Sequence, residues 1–114
     1  MKISVCITSF NQEHYLIEAI ESVLSQSIKP GEIIIVDDCS KDGSQEIISA
    51  YVVRYPNLIK PFYHERNCGI ARTRTKALEA VTGDFVTYLD GDDRFLPHKL
   101  DRELRSLLCS DCLL

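Results

Sequence analysis

Three carboxylates fall within four residues at Asp90-Gly91-Asp92-Asp93. Carboxylates this close repel one another unless a cation sits among them. Hard oxygen ligands suit Mg²⁺ or Mn²⁺, which keep open positions and bridge substrate phosphates. The glycine between them lets a ligand approach the backbone closely. Alone, the same residues also describe a solvated acidic turn that caps a helix. Their position favours chemistry, because they follow Phe85-Val86-Thr87-Tyr88-Leu89, a β-type run. In an open parallel sheet, ligands bind beyond the carboxyl ends of the strands.

Other polar clusters fall at comparable places. Thr8-Ser9-Phe10-Asn11 ends a first apolar run, and Asp37-Asp38 ends Glu32-Ile33-Ile34-Ile35-Val36. A carboxylate at the second position can accept hydrogen bonds from a ribose hydroxyl or a base N–H, or cap the next helix. Asn67 to Arg74 follows a third strand. Arg72 and Arg74 lie on the first turns of a helix, where an arginine can pair a phosphate bidentately; solvent-facing arginine is the plainer reading. Lys76 reads as surface. His14, His64 and His98 show no metal-ligand spacing. Cys109 and Cys112 form a single Cys-x-x-Cys, with no second pair for zinc and no preceding strand for a redox motif. Cys6 reads as a core residue.

These clusters need elements to position them. Ile3 to Ile7 reads as a strand. Leu16, Ile20, Val23 and Leu24 have helical spacing between Gln12 and Ser27, with Asn11 as N-cap and Lys29-Pro30-Gly31 as the break. The β-branched run at Ile33–Val36 suits a strand buried on both faces. A helix begins near Asp42 and runs to Pro56. Leu58 to Tyr63 reads as a strand that Pro61 confines to an edge. A helix carries Ile70, Ala77, Leu78 and Val81 and is capped by Gly83. A last helix has Pro97 in its first turn and Leu100, Leu104, Leu107 and Leu108 on one face. Alternating strands and helices predict an α/β, Rossmann-like parallel sheet of about four strands with helices on both faces.

The chain has 114 residues, 45% hydrophobic and 26% charged, with a formal net charge of -4. One domain is expected. An acidic chain has no general attraction to a nucleic acid polymer or an anionic membrane. An anionic ligand therefore needs a local device, such as a helix N-terminus, a placed arginine or a bound cation. No stretch is long and apolar enough to span a bilayer or act as a signal peptide. The five cysteines read as reduced thiols of a cytoplasmic protein, one that could work peripherally at the inner face of a membrane.

Together these segments resemble the family 2 glycosyltransferases, which have the GT-A fold. ISVCITSFNQEHYLIEAIESVLSQSI is similar to that family's opening strand and helix. EIIIVDDCSKDGSQEII is similar to its second strand and Asp-rich loop, and NCGIARTRTKALEAVTGDFVTYLDGDD to its Asn-x-Gly turn, helix and Asp-x-Asp strand. The resemblance implies that Thr8 and Phe10 line a nucleotide pocket and that Asp38 hydrogen-bonds the base. It places Asn67 and Gly69 at the nucleotide-sugar site, with Arg74 near the base and diphosphate. Asp90 and Asp92 match the Asp-x-Asp motif that holds Mn²⁺ or Mg²⁺, Asp92 as direct ligand. The implied partners are a nucleotide-diphosphate sugar, a UDP-sugar first, and a sugar, lipid-linked or polysaccharide acceptor.

The family often has Asn where Thr75 stands and Tyr where Phe10 stands. Its acceptor half and catalytic base lie beyond position 114, so residues 1–114 are expected to be the nucleotide-sugar-binding part of a truncated domain. No base is nominated within them; Asp93 is the remaining carboxylate of the motif. The apolar face of the last helix then belongs either to a truncated end or to a homodimer contact. A receiver-type signalling domain is the rival with an acidic Mg²⁺ site, but its acidic pair should follow the first strand, where Thr8-Ser9 stands. A non-catalytic nucleotide-binding or interaction module is the third reading.

Overall fold

The computed structural model describes residues 2–110, with side chains described through Ser106. The elements are β1 (Ile3–Ser9), α1 (Glu13–Leu24), β2 (Glu32–Asp37), α2 (Ser44–Arg54), β3 (Ile59–Tyr63), α3 (Ile70–Glu79), β4 (Phe85–Asp90) and α4 (Lys99–Ser110). All neighbouring strands are parallel, in the order β3-β2-β1-β4. Strands β3 and β4 are the edges, and Pro61 sits in β3 opposite Ile35 as the edge reading requires.

Side-chain alternation along the strands divides the core into two layers. Val5, Ile7, Ile33, Ile35 and Ile59 pack against Leu16, Ala19, Ile20 and Val23 of α1 and Ile48 and Tyr51 of α2. The opposite parity, Cys6, Ile34 and Val36, packs against Ala77 of α3, with Phe62 beside it. Right-handed crossovers explain the division. The chain steps from β1 to β2 to β3 in one direction, then returns across the sheet to β4. Reversing the step places α3 on the face opposite α1 and α2. The spacing of Leu16, Ile20 and Val23 buries one stripe of α1, each side chain contributing about 1.5–3 kcal/mol.

Several details depart from the sequence expectation. Asn11 is not the N-cap of α1; Gln12 is, and its carbonyl accepts the Leu16 N–H at 2.9 Å. Asn11 has a φ of 51°. Its N–H donates to Ser40 Oγ at 2.9 Å, and its Oδ1 accepts the Lys41 N–H at 2.7 Å. The neighbouring loop therefore takes the side chain that would have capped the helix. Helix α3 ends at Glu79 with Ala80 as its cap. Gly83 serves instead the turn into β4, where a Cβ would meet the Lys2 carbonyl at 2.9 Å. Ile70 and Leu78 are exposed, leaving Thr73 and Ala77 as the buried residues of α3. Pro97 lies in the turn before α4 rather than in its first turn. Gln26, 1% exposed, braces that turn: its Nε2 donates to the Leu96 carbonyl and its Oε1 accepts the Leu100 N–H.

Leu107, Leu108, Cys109 and Cys112, on which the homodimer contact and the Cys-x-x-Cys reading rest, lie outside the described side chains. Among the described residues, no helix is long and apolar enough to cross a membrane.

Candidate functional site

Strand β1 runs two residues further than the apolar run that announces it, and β2 and β4 one residue each, so their polar ends join the ladder. Thr8 pairs with Asp90, and Ser9 with Asp37. The strand order reverses at β1, between β2 and β4, which is where a wound sheet opens a crevice. A cleft of about 320 Å³ lies there, lined by Thr8, Ser9, Phe10, Gln12, Asp38, Asn67, Gly69, Ile70, Thr73, Asp90 and Asp92. Seven residues singled out from the sequence thus share one cavity: Thr8, Phe10, Asp38, Asn67, Gly69, Asp90 and Asp92. Arg74 does not line it but reaches Asp90, with Nη2 3.4 Å from Oδ1.

The acidic side of the cleft is built on β4. Thr8 Oγ1 donates to Asp90 Oδ1 at 3.0 Å. Gly91 is buried, and its N–H donates to the Thr8 carbonyl at 2.7 Å. A Cβ at Gly91 would meet Gln12 Oε1 at 2.4 Å and the Thr8 carbonyl at 3.0 Å. Only glycine lets the turn lie this close to β1. Asp92 is exposed and faces the cleft. Asp93 does not line it; its N–H closes a turn on the Asp90 carbonyl at 3.0 Å, and its Oδ1 accepts the Arg94 N–H at 2.8 Å. The carboxylates of this turn that face the cleft are thus Asp90 and Asp92, the pair expected as metal ligands. The tight turn sends the third carboxylate elsewhere. A pair still fits a hard divalent ion, since Mg²⁺ or Mn²⁺ binds through one or two carboxylates and draws its other ligands from water and phosphate.

Asp38 forms the opposite wall. It is 4% exposed. Oδ1 accepts the Cys68 N–H at 2.7 Å and faces His64 Nδ1 at 3.0 Å, while Oδ2 accepts the Gly69 N–H at 3.0 Å. Burial pushes its carboxyl up, but the hydrogen bonds from Cys68, His64 and Gly69 outweigh it and hold the group below the usual carboxylate range. Three of roughly four acceptor positions are thereby engaged. The carboxylate anchors the Asn67-Cys68-Gly69 turn, where Gly69 takes a φ of 91° that side-chain-bearing residues avoid. Asp37, fully buried, has a different task. It accepts hydrogen bonds from the Ser40 N–H and hydroxyl and from Gln45 Nε2, fixing the loop between β2 and α2.

The sequence expectation missed Ser9. It is 2% exposed, lines the cleft, and its Oγ has no hydrogen-bond partner among the described residues. An orphaned buried hydroxyl is costly unless a ligand satisfies it. The only signal in the sequence was its place beside Thr8 at the strand end. His64, whose spacing in the sequence announces no role, pairs with Asp38. Arg72 is exposed, Lys76 Nζ lies 5.0 Å from the Phe62 ring centroid, and Cys6 is buried, its thiol pushed up to about 11 by burial and by Glu32.

The cleft can therefore accommodate an elongated polar ligand with an anionic end. One end presents Asp90 and Asp92, with Arg74 paired to Asp90 outside the lining. The other presents Asp38, Ser9 and the Asn67 turn, with the Phe10 ring between β1 and α1.

The chain is 41% identical over 111 residues to a glycosyltransferase of Nostoc sp. described as uncharacterized, covering 97% of this chain and 34% of that protein. It is 41% identical over 92 residues to the cholesterol galactosyltransferase of Borreliella burgdorferi, covering 81% of this chain and 25% of that protein. In structure it resembles S. aureus TarS 1–349 in complex with UDP-GlcNAc, with a TM-score of 0.81 and 30% identity over 96% of this chain and 32% of that 1–349 chain. The chain spans less than half the length of the curated relatives it matches. The pattern of the family described as "Glycosyl transferase family 2" runs over residues 4–108, from the first residues of β1 into α4, so the sheet and both walls of the cleft lie within it, and the chain belongs to that family.

Proposed function

We propose that this chain binds a nucleotide-diphosphate sugar in the cleft between β1 and β4, and that the reaction it serves is transfer of the sugar to an acceptor hydroxyl. The observation that carries the reading is the convergence of Ser9, Asp38 and the Asn67 turn with Asp90 and Asp92 in one cavity at the reversal of strand order. It agrees with the UDP-GlcNAc bound by the related TarS. Uracil is the first candidate base, with Asp38 and the unpartnered Ser9 hydroxyl toward the nucleoside. Arg74 faces the diphosphate end. Asp90 and Asp92 would hold Mn²⁺ or Mg²⁺, which when bound offsets diphosphate charge as the leaving group departs. Thr8 orients Asp90 through its hydroxyl, and Gly91 holds the turn against β1.

Residues 1–114 are read as the donor-binding part of the domain. The general base that takes the acceptor proton must reach the acceptor hydroxyl, and Asp93, tied to Arg94, is not assigned that role. Isothermal titration with UDP and Mn²⁺ tests the reading. Binding that requires the ion and is lost in Asp92→Asn supports it. Absence of metal-dependent heat with UDP, GDP, CDP or dTDP overturns it.

A further inference from the structure

We propose that Asp38, His64 and Cys68 form a Zn²⁺ site in the wall of the cleft, distinct from the oxygen pair Asp90 and Asp92. One carboxylate oxygen, one imidazole nitrogen and one sulfur lie within 4.8 Å of one another there. Cysteine, histidine and aspartate together are zinc ligands, and three of them leave the fourth tetrahedral position to water or another ligand. Thiolate and imidazole select against Mg²⁺ and Mn²⁺, which prefer all-oxygen sites.

The geometry is close to what zinc needs. His64 Nδ1 and Asp38 Oδ1 are 3.0 Å apart. Zinc bonds of about 2.0–2.1 Å at a tetrahedral angle place such a pair roughly 3.3 Å apart. The ion would take the place of the shared proton with little opening of the pair. Cys68 must bring its sulfur to roughly 3.5 Å from the imidazole nitrogen, given a zinc–sulfur bond of about 2.3 Å. Its thiol makes only a weak donation, to the Arg66 carbonyl at 3.3 Å, so little opposes its movement toward the imidazole. The backbone already supports all three residues. The His64 N–H donates to the Asp37 carbonyl at 2.9 Å, the Asp38 N–H to the Ser9 carbonyl at 2.8 Å, and the Cys68 N–H to Asp38 itself.

Charge and protons balance. Asp38 is already ionised, Cys68 gives up its thiol proton, and the ring proton of His64 moves from Nδ1 to Nε2. Thiolate and carboxylate neutralise the dication, and about one proton leaves per zinc bound. Asp38 also faces the cleft. Resting on the nucleotide reading, zinc there fixes the Asp38 carboxylate on the metal and weakens binding of the nucleoside.

The test uses protein in which Cys109 and Cys112 are serine, so that the Cys-x-x-Cys pair contributes nothing. Zn²⁺ is titrated calorimetrically in two buffers of different protonation enthalpy, and Co²⁺ is followed by absorbance. The expected result is one ion per chain, release of about one proton and a thiolate-to-cobalt charge-transfer band. Affinity should fall at least about tenfold in Cys68→Ser and in His64→Gln, and stay unchanged in Asp92→Asn. Equal zinc affinity in Cys68→Ser and His64→Gln, or no thiolate band, overturns the site. In a second arm UDP affinity is measured with and without Zn²⁺. A loss in the parent that is absent in Cys68→Ser supports antagonism. Zinc binding without any effect on UDP refutes the antagonism and leaves the site. No UDP binding at all defeats the nucleotide reading alone.

Discussion

Replacing Glu32 with glutamine should destabilise the fold by roughly 2–3 kcal/mol at neutral pH, through loss of one buried charge. Glu32 starts β2 at the end of the sheet opposite the cleft and is 1% exposed. Its Oε2 accepts the Ser4 hydroxyl at 2.5 Å and the Thr82 N–H at 2.6 Å; its Oε1 accepts Lys60 Nζ at 2.6 Å and the Thr82 hydroxyl at 3.0 Å. One carboxylate thus ties β1, β2, β3 and the turn into β4. Burial alone would push its carboxyl up, but the hydrogen bonds from Lys60, Ser4 and Thr82 outweigh burial and bring it from 4.5 down to about 2. At about 1.4 kcal/mol per pH unit, that gap corresponds to roughly 3 kcal/mol. The Lys60 side chain is 43% exposed, so solvent screens part of its share and roughly 3 kcal/mol is the ceiling. Against a total stability of about 5–15 kcal/mol, the loss is large. A depressed folded-state pKa contributes stability that is complete above the unfolded value and is lost as pH falls through the folded one. The wild-type advantage should therefore be full above about pH 4.5 and close on the way to about pH 2. Urea unfolding followed by circular dichroism, on wild type and Glu32→Gln at stepped pH, measures it. A difference below about 0.5 kcal/mol at pH 7, or one that does not change with pH, would refute the reasoning.

Three further outcomes follow from the cleft. Ser9→Ala removes an orphaned hydroxyl, so urea unfolding should show equal or slightly higher stability, while calorimetric UDP affinity falls by about 3- to 10-fold, the worth of one hydrogen bond. Gly91→Ala forces a Cβ against the Thr8 carbonyl and Gln12; it should cost about 1–3 kcal/mol in unfolding and weaken metal-dependent UDP binding by displacing Asp90 and Asp92. Arg74→Ala breaks an ion pair whose side chains are 50% and 44% exposed, so stability should change by under about 1 kcal/mol. Its UDP affinity should fall more than its affinity for uridine alone, which calorimetry with both ligands separates.

The order of strands and helices was readable because period-2 and period-3.6 patterns are local properties of the chain. Pro61 announced an edge strand for a similar reason, since a missing N–H is intrinsic to the residue. Caps were less readable. Asn11 is a good capping residue, but Ser40 and Lys41, distant in sequence, claim it first. Glu32 looked like the start of a strand, and nothing local marked it as the partner of Ser4, Lys60 and Thr82. His64 and Cys68 escaped because ligand-spacing rules look along the chain, whereas their third partner, Asp38, lies 26 positions before His64.

By itself, the sequence determined which residue types stand at the strand ends: Thr8 and Ser9, Asp38, Asn67 and Gly69, and the Asp90-Gly91-Asp92 turn. Composition and local periodicity are enough for that. Only the tertiary structure decided which of them meet. The order β3-β2-β1-β4 puts Thr8, 82 positions away in the chain, 3.0 Å from Asp90. It turns Asp93 out of the cleft, commits Asp38 to the Asn67 turn and leaves the Ser9 hydroxyl without a partner. Crossover handedness and the register of parallel strands set these encounters, and neither is encoded within any one segment.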